Sequence, residues 1–257
     1  MNGKVIFFDI DGTLLDHNKQ IPNSTRTVIQ QLKDEGHHVA IATGRAPFMF
    51  EDLRKELGIQ TFVSFNGQYV VFEGEVIYRN PLKTETLEHL LAYASEVKHP
   101  LVFMSEDSMM ATMDNHPYIE ESMGTLKFPH PISNPDFYKD HEIFQTLLFC
   151  KGGEEERYQH YQDLTIIRWH DLSTDILPFG GSKAEGIKQL MTRLNIDKDD
   201  IYAFGDGLND LEMIEFVGTG VAMGNAVPSL KEVADYVTKA VDMDGISHGL
   251  KHLGLIK

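Results

Sequence analysis

The segment Gly205-Asp206-Gly207-Leu208-Asn209-Asp210 places two carboxylates and an amide at the end of the apolar run Ile201–Phe204, and glycine on both sides lets Asp206 face a ligand closely. Far upstream, Asp9-Ile10-Asp11-Gly12-Thr13 closes another apolar run, Val5–Phe8. If that run is a strand, side chains at i and i+2 project to one side, so the Asp9 and Asp11 carboxyls share one small space. Hard divalent cations prefer carboxylate and carbonyl oxygens. Mg²⁺ usually takes one or two carboxylates plus water and phosphate, a set that Asp206 and Asp9 could supply together. Each motif also has a plainer reading. Asp-Gly between hydrophobic runs is a two-residue hairpin signal, and Asn209 or Asp210 could simply cap the next helix. A calcium loop is excluded, because the sixth position of that pattern would be Leu14 rather than Gly.

Two further segments point to phosphate. Thr43-Gly44-Arg45 follows the apolar run His38–Ala42; Thr43 offers a hydroxyl, and Gly44 allows close approach to backbone N–H groups at a helix start. Thr43 as an ordinary helix cap is the alternative. Gly180-Gly181-Ser182-Lys183 puts a cation at the positive end of the following helix, which is mildly unfavourable unless carboxylates or a phosphate stand nearby. A solvated surface lysine is the alternative there. An ATP-binding loop of the Walker type needs Gly immediately before Lys, and Ser182 intervenes. Gly218–Gly224 carries one residue too many between its last glycines for a dinucleotide fingerprint. Asn66-Gly67 could bring an amide to a substrate or could be only a turn. The 12 His form no zinc pattern, and Trp169 and Met104 read as packing.

The elements that must position these residues are legible as repeated units. Val5–Phe8 is an unbroken apolar run, as expected of a strand covered on both faces of a parallel sheet, and similar runs recur at His38–Ala42, Phe62–Phe65, Ile201–Phe204 and Thr219–Ala222. Helices are expected over Ser24–Glu35, Pro47–Leu57, Lys183–Leu194, Asp210–Phe216 and Ser229–Tyr236. Alternation of this kind means α/β, and ligands of such sheets bind at the carboxyl ends of the strands. Between Leu82 and Pro178 the texture changes, with a helix expected at Thr84–Lys98 and strands near Leu101, Phe144, Ile166 and Asp175–Leu177; this stretch reads as an inserted α+β unit. The expected division is therefore a core of residues 1–81 and 179–257 and an insertion of 82–178. With 257 residues and 42% hydrophobic content, the chain is long enough for a sizeable core. Lys and Arg total 23 against 39 Asp and Glu, a net charge of −16 that repels nucleic acid and anionic lipid. The single cysteine, Cys150, is expected as a buried thiol. Four apolar residues near the N-terminus are too few for a signal segment, and no run approaches a membrane span, so the cytosol is the expected compartment.

Taken in order, DIDGT at 9–13, TGR at 43–45, the lysine at 183 and GDGLND at 205–210 resemble the haloacid dehalogenase superfamily of phosphatases, and GNA at 224–226 with DMDG at 242–245 resembles the closing segments of its Cof-type subgroup. The likeness covers nearly the whole chain. It implies a Rossmann-like core with a parallel sheet and an α+β cap inserted between the second and third motifs. It departs at Phe179-Gly180-Gly181-Ser182, where the subgroup usually has a single Gly and an aliphatic before the lysine. The resemblance implies that Asp9 is a nucleophile forming an aspartyl-phosphate and that Asp11 is the general acid and base. It implies Mg²⁺ held by the Asp9 carboxylate, the Asp11 backbone carbonyl and Asp206, with Asp210 behind them. Thr43, Lys183, Asn209 and the backbone N–H groups of Ile10 and Gly44 would hold phosphoryl oxygens. The expected activity is Mg²⁺-dependent hydrolysis of small phosphorylated metabolites such as sugar phosphates or nucleotides, with no protein partner inferred. Phosphotransfer to a second sugar and a phospho-accepting regulatory module are the alternatives.

Overall fold

The computed structural model describes residues 3–257. Along the chain the strands are β1 (Val5–Phe8), β2 (His38–Ala42), β3 (Thr61–Ser64), β4 (Tyr69–Phe72), β5 (Glu75–Arg79), β6 (Leu101–Met104), β7 (Met109–Ala111), β8 (Gln145–Phe149), β9 (Leu164–His170), β10 (Ser173–Pro178), β11 (Ile201–Gly205), β12 (Thr219–Ala222) and β13 (Tyr236–Val237). The α-helices are α1 (Asn23–Asp34), α2 (Glu51–Leu57), α3 (Thr84–Glu96), α4 (Pro117–Thr125), α5 (Lys183–Leu194), α6 (Leu211–Phe216), α7 (Pro228–Val233) and α8 (Gly245–His252). The chain forms two compact units. One runs through Arg45 and continues with Phe50–Arg79 and Ser182–Lys257; the other comprises Ala46–Met49 and Asn80–Gly181. Among the described residues, no helix is long and apolar enough to cross a membrane.

The first unit is α/β. Its sheet has the order β13-β12-β11-β1-β2-β3-β4-β5, parallel from β13 to β3 and finished by an antiparallel hairpin. All four residues of β1 are buried, because helices cover both faces of the sheet and neither side of the strand meets water. Val5 and Phe7 pack with Ala40, Ala42, Ile201 and Ala203 and with Ile187 and Leu190 of α5. Helix α1 buries Thr25, Val28, Ile29 and Leu32, the i, i+3, i+4, i+7 stripe of an amphipathic helix.

Two expected helices differ, and one hairpin was not expected. The helix expected from Pro47 begins as a tight 3₁₀ turn over Pro47–Phe50 and becomes α-helical only at Glu51, where Phe50, at φ −132°, breaks the helical backbone. The helix expected through Tyr236 stops at Val233. Asp235 exchanges bonds with Gly220, its N–H donating to the Gly220 carbonyl at 2.9 Å and its carboxylate accepting the Gly220 N–H at 2.8 Å, and this draws Tyr236–Val237 onto β12 as the edge strand. The hairpin β4–β5 has no counterpart among the expected strands; its turn, Glu73-Gly74, takes positive φ at both residues.

The second unit is α+β, with an antiparallel sheet in the order β7-β6-β8-β10-β9. One face carries Leu101, Phe103, Leu148, Cys150 and Ile176 against Leu87, Leu90 and Ala94 of α3, so Cys150 is a fully buried thiol. Side chains alternate along a strand, so Asp175 lies on the opposite face from Ile176. There Gln145 Nε2 donates to Asp175 Oδ1 at 2.9 Å. Burial pushes the Asp175 carboxyl up to about 8. The folded chain therefore keeps a proton that the unfolded chain releases above about pH 4, and stability falls as pH rises from about 4 to about 8. Asp175→Asn removes this dependence. We expect denaturant unfolding to find the variant and the wild type similar near pH 4, and the variant more stable by a few kcal/mol near pH 7.5. An identical pH slope in both proteins would show Asp175 to be ionised when folded.

Candidate active site

Strands β11, β1, β2 and β3 lie side by side and parallel, so their carboxyl ends form one edge. The register pairs Phe8 with both Phe204 and Ile41, which sets Asp9 level with Gly205 and Ala42 and brings the motifs after three strands together. Asp9 N–H donates to the Phe204 carbonyl at 3.0 Å and Thr43 N–H to that of Val63 at 2.9 Å, so both residues are pinned by the sheet itself. The Asp-Gly pair does make a tight turn, with Gly12 at φ +83°, but no antiparallel hairpin follows, since β2 returns parallel to β1. Gly12 has no substitute there: a Cβ would stand 2.1 Å from Asp206 Oδ2.

Lys183 is the first residue of α5 and is fully buried. Ser182, the departure from the family pattern, is the helix N-cap, its hydroxyl accepting the Glu185 N–H. The lysine Nζ lies 2.6 Å from Asp9 Oδ1 and 2.6 Å from Asp210 Oδ1. Burial works against its charge, but Asp210 and Asp9 outweigh that and its pKa is raised. Asp210 also accepts the N–H groups of Asp206 at 3.0 Å and Gly207 at 2.9 Å through Oδ2, so it ties the Gly205–Asp210 loop and holds the lysine at once.

Carboxylate oxygens of Asp9, Asp206 and Asp210 all lie within 4.8 Å of one another, and Lys183 is one cation against the three. Burial, then the neighbouring carboxylates acting against the pull of Lys183, pushes Asp9 up to about 8; burial and Asp210 push Asp206 up to about 6. An all-oxygen set of three crowded carboxylates fits a hard divalent cation. Both Asp210 oxygens are engaged, Oδ1 by Lys183 and Oδ2 by two backbone N–H groups, as are both Asp206 oxygens, by Thr13 and Asn225, and Asp9 Oδ1, by Lys183.

Asp11 is turned elsewhere. Its carboxylate takes a paired contact from Arg45, Nε at 2.8 Å and Nη2 at 2.7 Å, and a third from Lys19 Nζ at 2.6 Å. Burial raises its pKa, but Arg45 and then Lys19 more than reverse this, so Asp11 is held ionised and below the usual carboxylate range. Thr43 is buried, and its hydroxyl accepts the Arg45 N–H at 3.1 Å. Asn209 Nδ2 donates to Asn66 Oδ1 at 3.1 Å, and Gly44 lies against the same Asn66 amide. Asn66 bears out the turn reading, with Phe65 at φ 50°, Asn66 at φ 50° and Gly67 at φ +101°, and its buried amide meets the Asn209 side chain. Ile10 is fully buried, its carbonyl accepting the Leu15 N–H at 2.8 Å.

Four residues at the site had no assigned part in the motif reading: Lys19, Arg45, Thr13, whose hydroxyl donates to Asp206 Oδ1 at 3.2 Å, and Asn225, whose amide reaches Asp206 Oδ2 at 3.2 Å. Thr13, Arg45 and Asn225 lie inside recognised motifs, whereas nothing in the local sequence marks Lys19.

Comparison with known proteins agrees with this geometry. The sequence profile of the haloacid dehalogenase-like hydrolases matches residues 6–250. The chain is 58% identical to "Putative phosphatase YkrA" of Bacillus subtilis over 100% of both chains. The crystal structure of a hypothetical protein from Geobacillus kaustophilus superposes with a TM-score of 0.95 at 58% identity, over 99% of this chain and 100% of that one. The sugar phosphatase BT4131, of HAD subclass IIB, gives a TM-score of 0.86 at 30% identity over 98% and 100%. The strand-end carboxylates, the buried lysine and these likenesses over the full length converge: the chain belongs to the haloacid dehalogenase-like hydrolase family, among its Cof-type phosphatases.

Proposed function

We propose that the protein is a cytosolic, Mg²⁺-dependent phosphatase of small phosphorylated metabolites that works through an aspartyl-phosphate on Asp9, with the 80–181 unit acting as the cap that selects the substrate. The observation that carries this reading is the buried Lys183 at 2.6 Å from the Asp9 carboxylate, in a cluster that includes Asp206 and Asp210 at the strand ends. A sugar phosphatase among the structural relatives favours phosphorylated sugars as a first class to test. The net charge of −16 disfavours polyanionic partners.

The Asp9 carboxylate attacks phosphorus as the ester P–O bond breaks, and the leaving alkoxide takes its proton from Asp11. Water then attacks the same phosphorus, gives a proton to Asp11, and releases inorganic phosphate with the Asp9 carboxylate restored. Asp11 is ionised where Arg45 and Lys19 hold it, which suits the second step; for the first it must take up a proton and turn from them toward the leaving oxygen. Lys183, Thr43, Asn209 and the N–H groups of Ile10 and Gly44 orient the phosphoryl oxygens and stabilise their charge in the transition state. Asp9, Asp206 and the Asp11 backbone carbonyl would hold the cation; bound there, Mg²⁺ would supply charge that keeps Asp9 ionised and screens it from the dianionic ester.

Purified protein with Mg²⁺ should release phosphate from p-nitrophenyl phosphate. EDTA should lower the rate by about 10²-fold or more and added Mg²⁺ should restore it. Turnover indifferent to chelation would contradict the metal role, and a panel of phosphorylated metabolites would then rank the substrates.

A further inference from the structure

Asn225 occupies the loop Gly224-Asn225-Ala226 after β12 and is exposed to solvent, yet each of its polar atoms points inward to a specific partner. Its Nδ2 donates to the Gly12 carbonyl at 2.9 Å and to Asp206 Oδ2 at 3.2 Å, and its Oδ1 accepts the Val241 N–H at 2.9 Å. One side chain therefore joins the turn after β1, the loop after β11 and the segment that leads to α8. The partners also decide which way the amide faces, since two acceptors meet the nitrogen and a donor meets the oxygen. The loop is braced from behind: Lys231 Nζ donates to the Gly224 carbonyl at 2.6 Å, and Gly224 N–H to the Lys239 carbonyl at 2.9 Å.

The juxtaposition needs such a donor. The Gly12 carbonyl and Asp206 Oδ2 are both acceptors brought close together, and without an N–H group between them they repel. Asp206 is already held on its other oxygen by Thr13 Oγ1 at 3.2 Å, so Asn225 completes its orientation and also grips the Gly12 carbonyl. Only an amide can donate twice here while accepting from Val241 on the same side chain.

We infer that Asn225 is a positioning residue of the cation site, fixing the Asp206 carboxylate against the Asp9–Thr13 turn at the separation a divalent cation bridges. This rests on the metal reading given above and adds to it a residue that contacts a metal donor rather than the metal. Groups of this kind alter metal affinity by about 10–100-fold when removed.

The test is binding of Mn²⁺ alone to the full chain, followed by electron paramagnetic resonance of the free ion, for wild type, Asn225→Ala, Asn225→Asp and Asp206→Asn. Asn225→Asp is the informative variant, because it keeps the acceptor for Val241 and loses both donors. We expect it to weaken Mn²⁺ binding about 10–100-fold, at least as much as Asn225→Ala. Both variants should still melt cooperatively in EDTA, and the KM for p-nitrophenyl phosphate at saturating Mg²⁺ should stay near wild type. Wild-type or tighter Mn²⁺ affinity in Asn225→Asp would overturn the inference, and so would a collapse of both variants in EDTA, which would make the role one of folding. If the wild type itself takes no Mn²⁺, or Asp206→Asn takes it equally well, the cation reading fails first and the inference goes with it.

Discussion

Asp9→Asn should abolish phosphate release, lowering turnover by about 10⁵–10⁶-fold, the scale on which removal of a covalent nucleophile acts. An amide oxygen is a poor nucleophile, and the variant also loses the negative charge that a cation and Lys183 share. The loss should not come from unfolding. Asn nearly matches Asp in shape, and Lys183 keeps its 2.6 Å contact with Asp210. Phosphate release from p-nitrophenyl phosphate measures the rate, and acid quenching of the wild type during turnover should trap phosphate on the chain at Asp9. Turnover by Asp9→Asn within about 10-fold of wild type would remove covalent catalysis from the account, because no positioning effect replaces a missing nucleophile.

The second large effect is expected at Lys183. The ion pairs that it forms with Asp9 and Asp210 are buried, and taking one partner from a buried pair leaves uncompensated charge at about 3–5 kcal/mol. For a chain of this size Lys183→Met should lower the melting temperature by about 6–20 °C. The deficit should shrink as pH falls through about 8, where Asp9, already raised by burial, takes up a proton. Activity should fall as well, by about 10²–10³-fold or more, since a charge aimed at the phosphoryl oxygens is lost. A double variant, Lys183→Met with Asp210→Asn, should recover part of the stability and none of the turnover, which separates the two roles. A Lys183→Met protein that melts and turns over as the wild type does would contradict both.

Much of the site was legible before any coordinates. The spacing of Asp9 and Asp11 at the end of a fully apolar run, and of Asp206 with Asp210 at the end of another, was consistent with a strand followed by a loop with acids at its mouth, beside the hairpin and helix-cap readings. Unbroken runs such as Val5–Phe8 marked strands covered on both faces, and β1, β2 and β12 have those bounds. Helix α5 begins at Lys183 as expected, because the cap Ser182 precedes it directly. The misplaced elements have separate causes. Tyr236–Val237 has helical neighbours, but its place on β12 is set by Asp235 bonding to Gly220, 15 residues away. In the β4–β5 hairpin the edge strand β5 is exposed at Glu75 and Val76 and so carries little burial pattern, whereas β4 is an almost wholly buried apolar run.

The linear chain by itself determined the α/β class, the strand ends at which acids and amides would gather, and the chemistry those groups can perform, because residue type and the two- or 3.6-residue periods of burial are local properties. Only the tertiary structure decided which group meets which. Lys183 reaches Asp9 across 174 residues, Arg45 and Lys19 take the Asp11 carboxylate, and Asn225 spans 213 residues to the Gly12 carbonyl. Such pairings follow from strand register and helix packing, which bring distant atoms within hydrogen-bond range, and no local pattern carries that distance.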